Sequence, residues 1–127
     1  MLTAPQMREA LKIIQRYGPG HIVINGVSYH EPVMLVANQA SRWDATPESL
    51  WDVSLYTPLH QMDDAPELLI IGTGASMYMA GPGFRAALKA RFPHGIGIES
   101  MDTGAACRTY NVLMGEGRRV AACLLMP

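Results

Sequence analysis

The sequence predicts an α/β domain in which an antiparallel N-terminal third is joined to a parallel β-α-β-α-β C-terminal half. Three observations carry that prediction. Residues 21–30 are rich in β-branched side chains around Asn25-Gly26, the pair that most readily takes the positive φ values of a two-residue hairpin turn. Leu68, Leu69, Ile70 and Ile71 form a continuous apolar run, as a strand buried on both faces requires. From there strand and helix patterns alternate with short connections, which implies parallel neighbours joined by right-handed crossovers.

Taken in order, Thr3 and Gln6 have the form of a helix start, and Met7, Ala10, Leu11 and Ile14 recur on one face of a short helix that Gly18-Pro19-Gly20 ends. After the 21–30 hairpin, a strand is expected at 33–37. Residues 38–49 read as a loop with a short strand near Arg42-Trp43. Residues 50–64 are the least legible stretch, with a brief helix limited by Pro58 and by the break at Asp63-Asp64-Ala65-Pro66. Pro82 opens the next helix, where Phe84, Leu88 and Phe92 fall on one face and Arg85 and Lys89 point away. Residues 95–99 form the second parallel strand. Thr103 caps a helix with an Ala106, Tyr110 and Leu113 stripe that stops at Gly115 and Gly117, and 119–126 supply the third strand.

A chain of 127 residues fits one domain, with no repeat or linker to divide it. Apolar residues make up 49% of it and charged residues 17%, a balance that folds rather than staying disordered. Ten basic and eleven acidic side chains give a formal charge of −1, which offers no field for nucleic acid or an anionic membrane. No apolar stretch approaches the roughly 20 residues of a spanning helix. The two cysteines, Cys107 and Cys123, with no basic and apolar leader ahead of them, fit a reducing cytoplasm better than a disulfide framework.

The glycines after the 68–71 strand pose the sharpest question. A dinucleotide turn uses three glycines, and here the third position is Met77, while Pro82 starts the helix too late to present its N–H groups to a pyrophosphate. Glu99, at the end of the next strand, is the element in favour of a nucleotide. The simpler reading is that Gly72 and Gly74 let the chain leave a buried strand. The loop 73–81 nevertheless lies where open α/β sheets place ligands, and Met77, Tyr78 and Met79 make it apolar and adaptable.

Other chemistry is sparse. Cys107 lies in the first turn of the 103–114 helix, where the dipole lowers a thiol pKa, yet its place beside the apolar stripe is equally that of a core residue. The histidines at 21, 30, 60 and 94 lack metal-site spacing, no Gly-x-Ser-x-Gly elbow occurs, and nothing calls for a cofactor or metal. Arg108 and Asn111 share a helix face that could line a small polar cleft.

Five motifs occur in order: Tyr17-Gly18 with Asn25-Gly26 and Tyr29, then 67–74, 95–103, 106–111 and 116–122. Together they resemble the Mth-domain family, and the series spans residues 13–127. The resemblance implies a three-layer α/β fold with a parallel sheet, a second antiparallel sheet and a helical layer, in one domain covering 1–127. It implies no firmly assigned catalytic activity. The family includes a mitochondrial respiratory complex I assembly factor, so the first expectation is a non-enzymatic binding or assembly protein that holds a protein partner through loop 73–81 and nearby surface, with a homo-oligomer as a separate expectation. The alternative is a small-molecule-binding protein or enzyme with its site at the Gly72–Gly74 strand end and the 108–111 helix segment. Gly72, Thr73, Gly74, Glu99, Thr103, Thr109 and Asn111 match the family's motif positions and are expected to surround a shared cleft, joined by Met77, Met79, Cys107 and Arg108. The lack of a leader before Met1, unlike the mitochondrial relatives, sets the expectation of a bacterial cytoplasmic protein.

Overall fold

Residues 13–127 are described by the computed structural model. The expected helix start at Thr3, with Met7, Ala10 and Leu11, lies outside the described residues. Its expected last turns are instead strand β1 (Ile14–Gly18), because pairing with β2 (His21–Ile24) overrides the helical spacing of Ile14. β3 (Val27–Tyr29) completes a three-stranded antiparallel sheet in the order β1-β2-β3. Asn25 (φ 45°) and Gly26 (φ 83°) make the two-residue turn that the sequence predicts there.

A second hairpin, β4 (Val33–Val36) and β5 (Gln39–Arg42), turns through Ala37 (φ 51°) and Asn38 (φ 59°). It leaves the first sheet and joins the parallel strands. The resulting five-stranded sheet has the order β5-β4-β8-β6-β7, where β6 is Leu68–Gly72, β7 is Gly97–Met101 and β8 is Val120–Leu124. β6 pairs parallel with both β7 and β8, while β4 adds antiparallel to β8. The C-terminal half is therefore parallel as expected, but the N-terminal strands divide between two sheets.

Strand alternation builds a core on each face of the large sheet. Leu69, Ile71, Ile98, Ala121 and Cys123 face one way, toward helix α2 (Pro82–Lys89) and the segment 43–60. That segment, illegible in the sequence, holds a 3-10 turn (Val53–Tyr56) and the single-turn helix α1 (Thr57–His60). Its aromatics close the layer, with ring centroids 5.4 Å apart for Trp43 and Tyr56 and 5.5 Å for Tyr56 and Phe84. Two of the buried polar tips bond backbone carbonyls: the Tyr56 hydroxyl donates to the Leu50 C=O at 2.8 Å and the Trp43 Nε1–H to the Leu55 C=O at 3.1 Å. On the other face Ile70, Ala122 and Leu124 meet Ala106, Cys107 and Tyr110 of helix α3 (Thr103–Gly115), with Ile14, Ile22 and Ile24 of the small sheet in the same core. The layers are thus α2 with 43–60, the five-stranded sheet, and α3 beside the small sheet.

Candidate functional site

The ends of β6, β7 and β8 converge where their connecting loops are tied together by two threonines. Thr103 is fully buried. Its N–H donates to the Gly74 C=O at 2.9 Å, its hydroxyl accepts from the Gly74 N–H at 2.8 Å, and the same hydroxyl donates to the Leu125 C=O at 2.8 Å. Thr73 repeats the device one strand over. Its N–H donates to the Met101 C=O at 2.8 Å, and its Oγ1 lies 3.1 Å from that same oxygen while accepting from the Tyr78 N–H at 3.2 Å. The three loops are therefore joined through their backbones.

This geometry assigns the two glycines. A Cβ at Gly72 would stand 2.8 Å from Thr103 Oγ1, 2.9 Å from Leu124 Cδ2 and 3.2 Å from the Thr103 Cα, so only glycine admits the first turn of α3 so close to β6. Gly74 takes φ +96°, which disfavours any L side chain. The helix cap also differs from the expectation. Asp102, not Thr103, is the N-cap of α3, and its carboxylate accepts from the Ala105 N–H at 3.1 Å. Thr103 is turned inward to the loops.

Beyond this base lies the loop 73–81. Met77, Tyr78 and Met79 are 58%, 56% and 68% exposed, three consecutive large side chains presented to solvent. Beside them is a groove of about 390 Å³ walled by Pro32, Pro47, Ser76, Tyr78, Leu125 and Met126, with Thr73 and Gly74 also lining it. Gly72, Thr73, Gly74, Met77, Met79 and Thr103 thus meet at one end of the sheet.

The remaining expected residues go elsewhere. Asn111 clamps β1: its Oδ1 accepts from the Ile14 N–H at 3.0 Å and its Nδ2–H donates to the Ile14 C=O at 2.8 Å. Arg108 donates to the Tyr17 hydroxyl, with its guanidinium 6.0 Å from that ring's centre. The expected polar cleft between Arg108 and Asn111 is therefore filled by β1, an edge strand that offers the backbone groups of Ile14 to Asn111 and the Tyr17 hydroxyl to Arg108. Thr109 turns its hydroxyl to the Met101 sulfur at 3.5 Å, and Glu99 is exposed on β7. Cys107 is 1% exposed among Ile22, Ile70 and Tyr110. Burial pushes its thiol up to about 12, against the smaller opposing pull of the Arg108 charge. The lowering expected from the helix dipole is outweighed, and the thiol is a core group.

At the opposite end of the sheet a larger, more polar cavity of about 520 Å³ lies among His60, Asp63, Asp64, Phe92, His94 and Arg119. In the sequence Asp63-Asp64 reads as a break after the brief helix, with no signal that joins it to His94 or Arg119. Three of its charged lining residues are paired: Arg119 with Asp64 at 3.4 Å, and Glu67 with the neighbouring Arg118 at 2.8 Å. Among the described residues no three His, Cys, Asp or Glu side chains converge to hold a metal ion.

A family model described as "Protein of unknown function (DUF498/DUF598)" matches residues 14–125. The chain belongs to that family. An uncharacterized protein of Rhodobacter capsulatus is 33% identical over 112 residues, covering 88% of this chain and 82% of that one. The zebrafish protein named NADH dehydrogenase (ubiquinone) 1 alpha subcomplex assembly factor 3 is 30% identical over 115 residues, covering 91% of this chain and 64% of its own length. The chain thus spans under two thirds of that relative. Among solved structures, the solution structure of a Bordetella pertussis protein described as a Mth938-like domain is similar with a TM-score of 0.77 at 31% identity, covering 98% of this chain and 90% of that one. This family member therefore has the Mth938-like fold. None of its described helices is long and apolar enough to cross a membrane.

Proposed function

We propose that this protein is a non-enzymatic binding or assembly factor of the bacterial cytoplasm that docks a protein partner on loop 73–81 and the adjoining groove. The observation that carries the reading is the exposure of Met77, Tyr78 and Met79 together, above a base that Thr103 holds by buried hydrogen bonds and Thr73 by part-buried ones. Exposed methionines give an apolar surface that re-packs around a partner, and a fixed base limits the entropy lost when the loop is covered. The kinship with a protein named as a subcomplex assembly factor supports the same reading. The groove of about 390 Å³, with Thr73 and Ser76 in its wall, favours a small-molecule ligand as the second reading.

Native mass spectrometry of the protein purified gently from its host, beside the Met77→Asp, Met79→Asp double variant, separates them. A co-purifying protein lost from the variant, with the variant's thermal midpoint unchanged, supports docking. A small molecule retained by both, with no second protein, overturns it and favours the groove. The substitutions fall on exposed positions, so a stability change within about 0.5 kcal/mol is expected.

A further inference from the structure

The five-stranded sheet ends on β7, whose outer edge no described strand pairs. In its parallel pairing with β6, the Gly97 N–H donates to the Glu67 C=O and the Met101 C=O accepts from the Thr73 N–H. Residues 97, 99 and 101 thus turn their backbone groups inward, and alternation turns those of Ile98 and Ser100 outward. Outward N–H and C=O groups on an edge strand are a template for another strand.

One of these groups is occupied. Arg85, on α2, donates from its guanidinium to the Ile98 C=O at 2.6 Å in a part-buried bond. The helix periodicity points Arg85 to solvent with Lys89, yet the side chain reaches to the sheet edge instead. Ordering a long cationic side chain costs rotamer entropy, which a charge-assisted bond offsets. The planar guanidinium also lies where an incoming strand's N–H must approach that carbonyl. A second feature acts in the same direction: in a symmetric antiparallel pair of β7 strands centred on Glu99, the two exposed carboxylates would stand opposite each other.

We propose that Arg85 closes the β7 edge to pairing with a second copy of this chain. The occupant follows from self-complementarity, because one edge meets its own copy across a two-fold axis and both copies would need the same Ile98 carbonyl. This guard is separate from the loop 73–81 reading and stands whether or not that loop binds a partner.

The test compares the parent with Arg85→Met, and with Arg91→Met as a control. Arg91 is an exposed arginine just past the same helix whose side chain bonds the Ala87 C=O, at 3.0 Å, and not the sheet edge. Hydrogen exchange at the Ile98 and Ser100 amides is followed from low to high protein concentration, beside sedimentation equilibrium. The expected result is concentration-independent exchange at both amides in the parent and the Arg91 variant. In Arg85→Met, exchange at both amides slows by about tenfold or more as concentration rises, with a doubled mass. Concentration-independent exchange in a folded Arg85→Met overturns the proposal. Were that variant unable to fold, Arg85→Gln takes its place with the same two outcomes, and a parent whose amides 98 and 100 gain protection as concentration rises overturns the proposal by itself.

Discussion

The two ends of the parallel strands are closed by different physics. At the carboxyl end, uncharged hydroxyls at Thr73 and Thr103 bond backbone groups in positions shielded from water. At the amino end, Arg118 and Arg119 pair with Glu67 and Asp64 at the surface, where side chains remain 39% to 85% exposed. A buried hydrogen bond is expensive to break because its partners lose water as well as each other, whereas an exposed ion pair exchanges readily for solvent. The carboxyl end is therefore a fixed platform under an apolar loop, and the amino end is a solvated rim around a polar cavity. The platform is the better place to present a docking surface.

The largest expected effect tests the platform directly. Thr103→Val keeps the shape of the side chain but removes its hydroxyl, which leaves the Gly74 N–H and the Leu125 C=O without partners. Two orphaned buried groups should cost about 3 kcal/mol, read from the urea midpoint at unchanged slope. Thr103→Ser, which retains the hydroxyl, should cost clearly less. A loss below about 1 kcal/mol for the valine variant would put the platform level with a surface ion pair and erase the contrast between the ends.

Gly72→Ala comes next. Its added methyl meets Thr103 Oγ1 at 2.8 Å, and behind that atom the Thr103 Cα at 3.2 Å is backbone that cannot rotate away. Overpacking of that kind costs about 2 kcal/mol. Gly81→Ala is the sharpening control, since a Cβ there meets nothing within 4 Å. Equal effects of the two substitutions would mean that chain flexibility, not the close approach of α3 to β6, explains the glycine after the strand.

Those glycines show why part of the site was legible and part was not. The continuous run 68–71 announces a buried strand, Asn25-Gly26 announces the β2–β3 turn, and the missing third glycine argues for a structural role at Gly72. Sequence spacing could not reveal the β4–β5 hairpin, because its turn uses Ala37 and Asn38 and alanine carries no turn signal at positive φ, nor the pairing of β4 with β8, which joins segments far apart in the chain. Nor could it place Arg108 and Asn111: a shared helix face says which side chains lie together but not that an edge strand will occupy the space in front of them. Segment 43–60 hid for a third reason. Its buried side chains, Trp43, Leu50, Tyr56 and Leu59, sit on short turns with no sustained period, so its contribution to the core arises from tertiary packing alone.

The smallest effect belongs to the rim. The Arg118 guanidinium, hydrogen-bonded at 2.8 Å, holds the Glu67 carboxyl below its ordinary value, with the Arg119 N–H adding to the pull. A carboxyl whose folded pKa is depressed contributes stability above its unfolded pKa and loses it as the pH falls through the folded one. Glu67→Gln should therefore lower the urea midpoint slightly at neutral pH and under low salt, and the gap to the parent should close as the pH drops below the ordinary carboxylate range. Thr103→Val should behave oppositely, holding its deficit across the same pH range because no charge is involved. A Glu67→Gln deficit that persists at acid pH would mean that the rim is stabilised by neutral packing as the platform is.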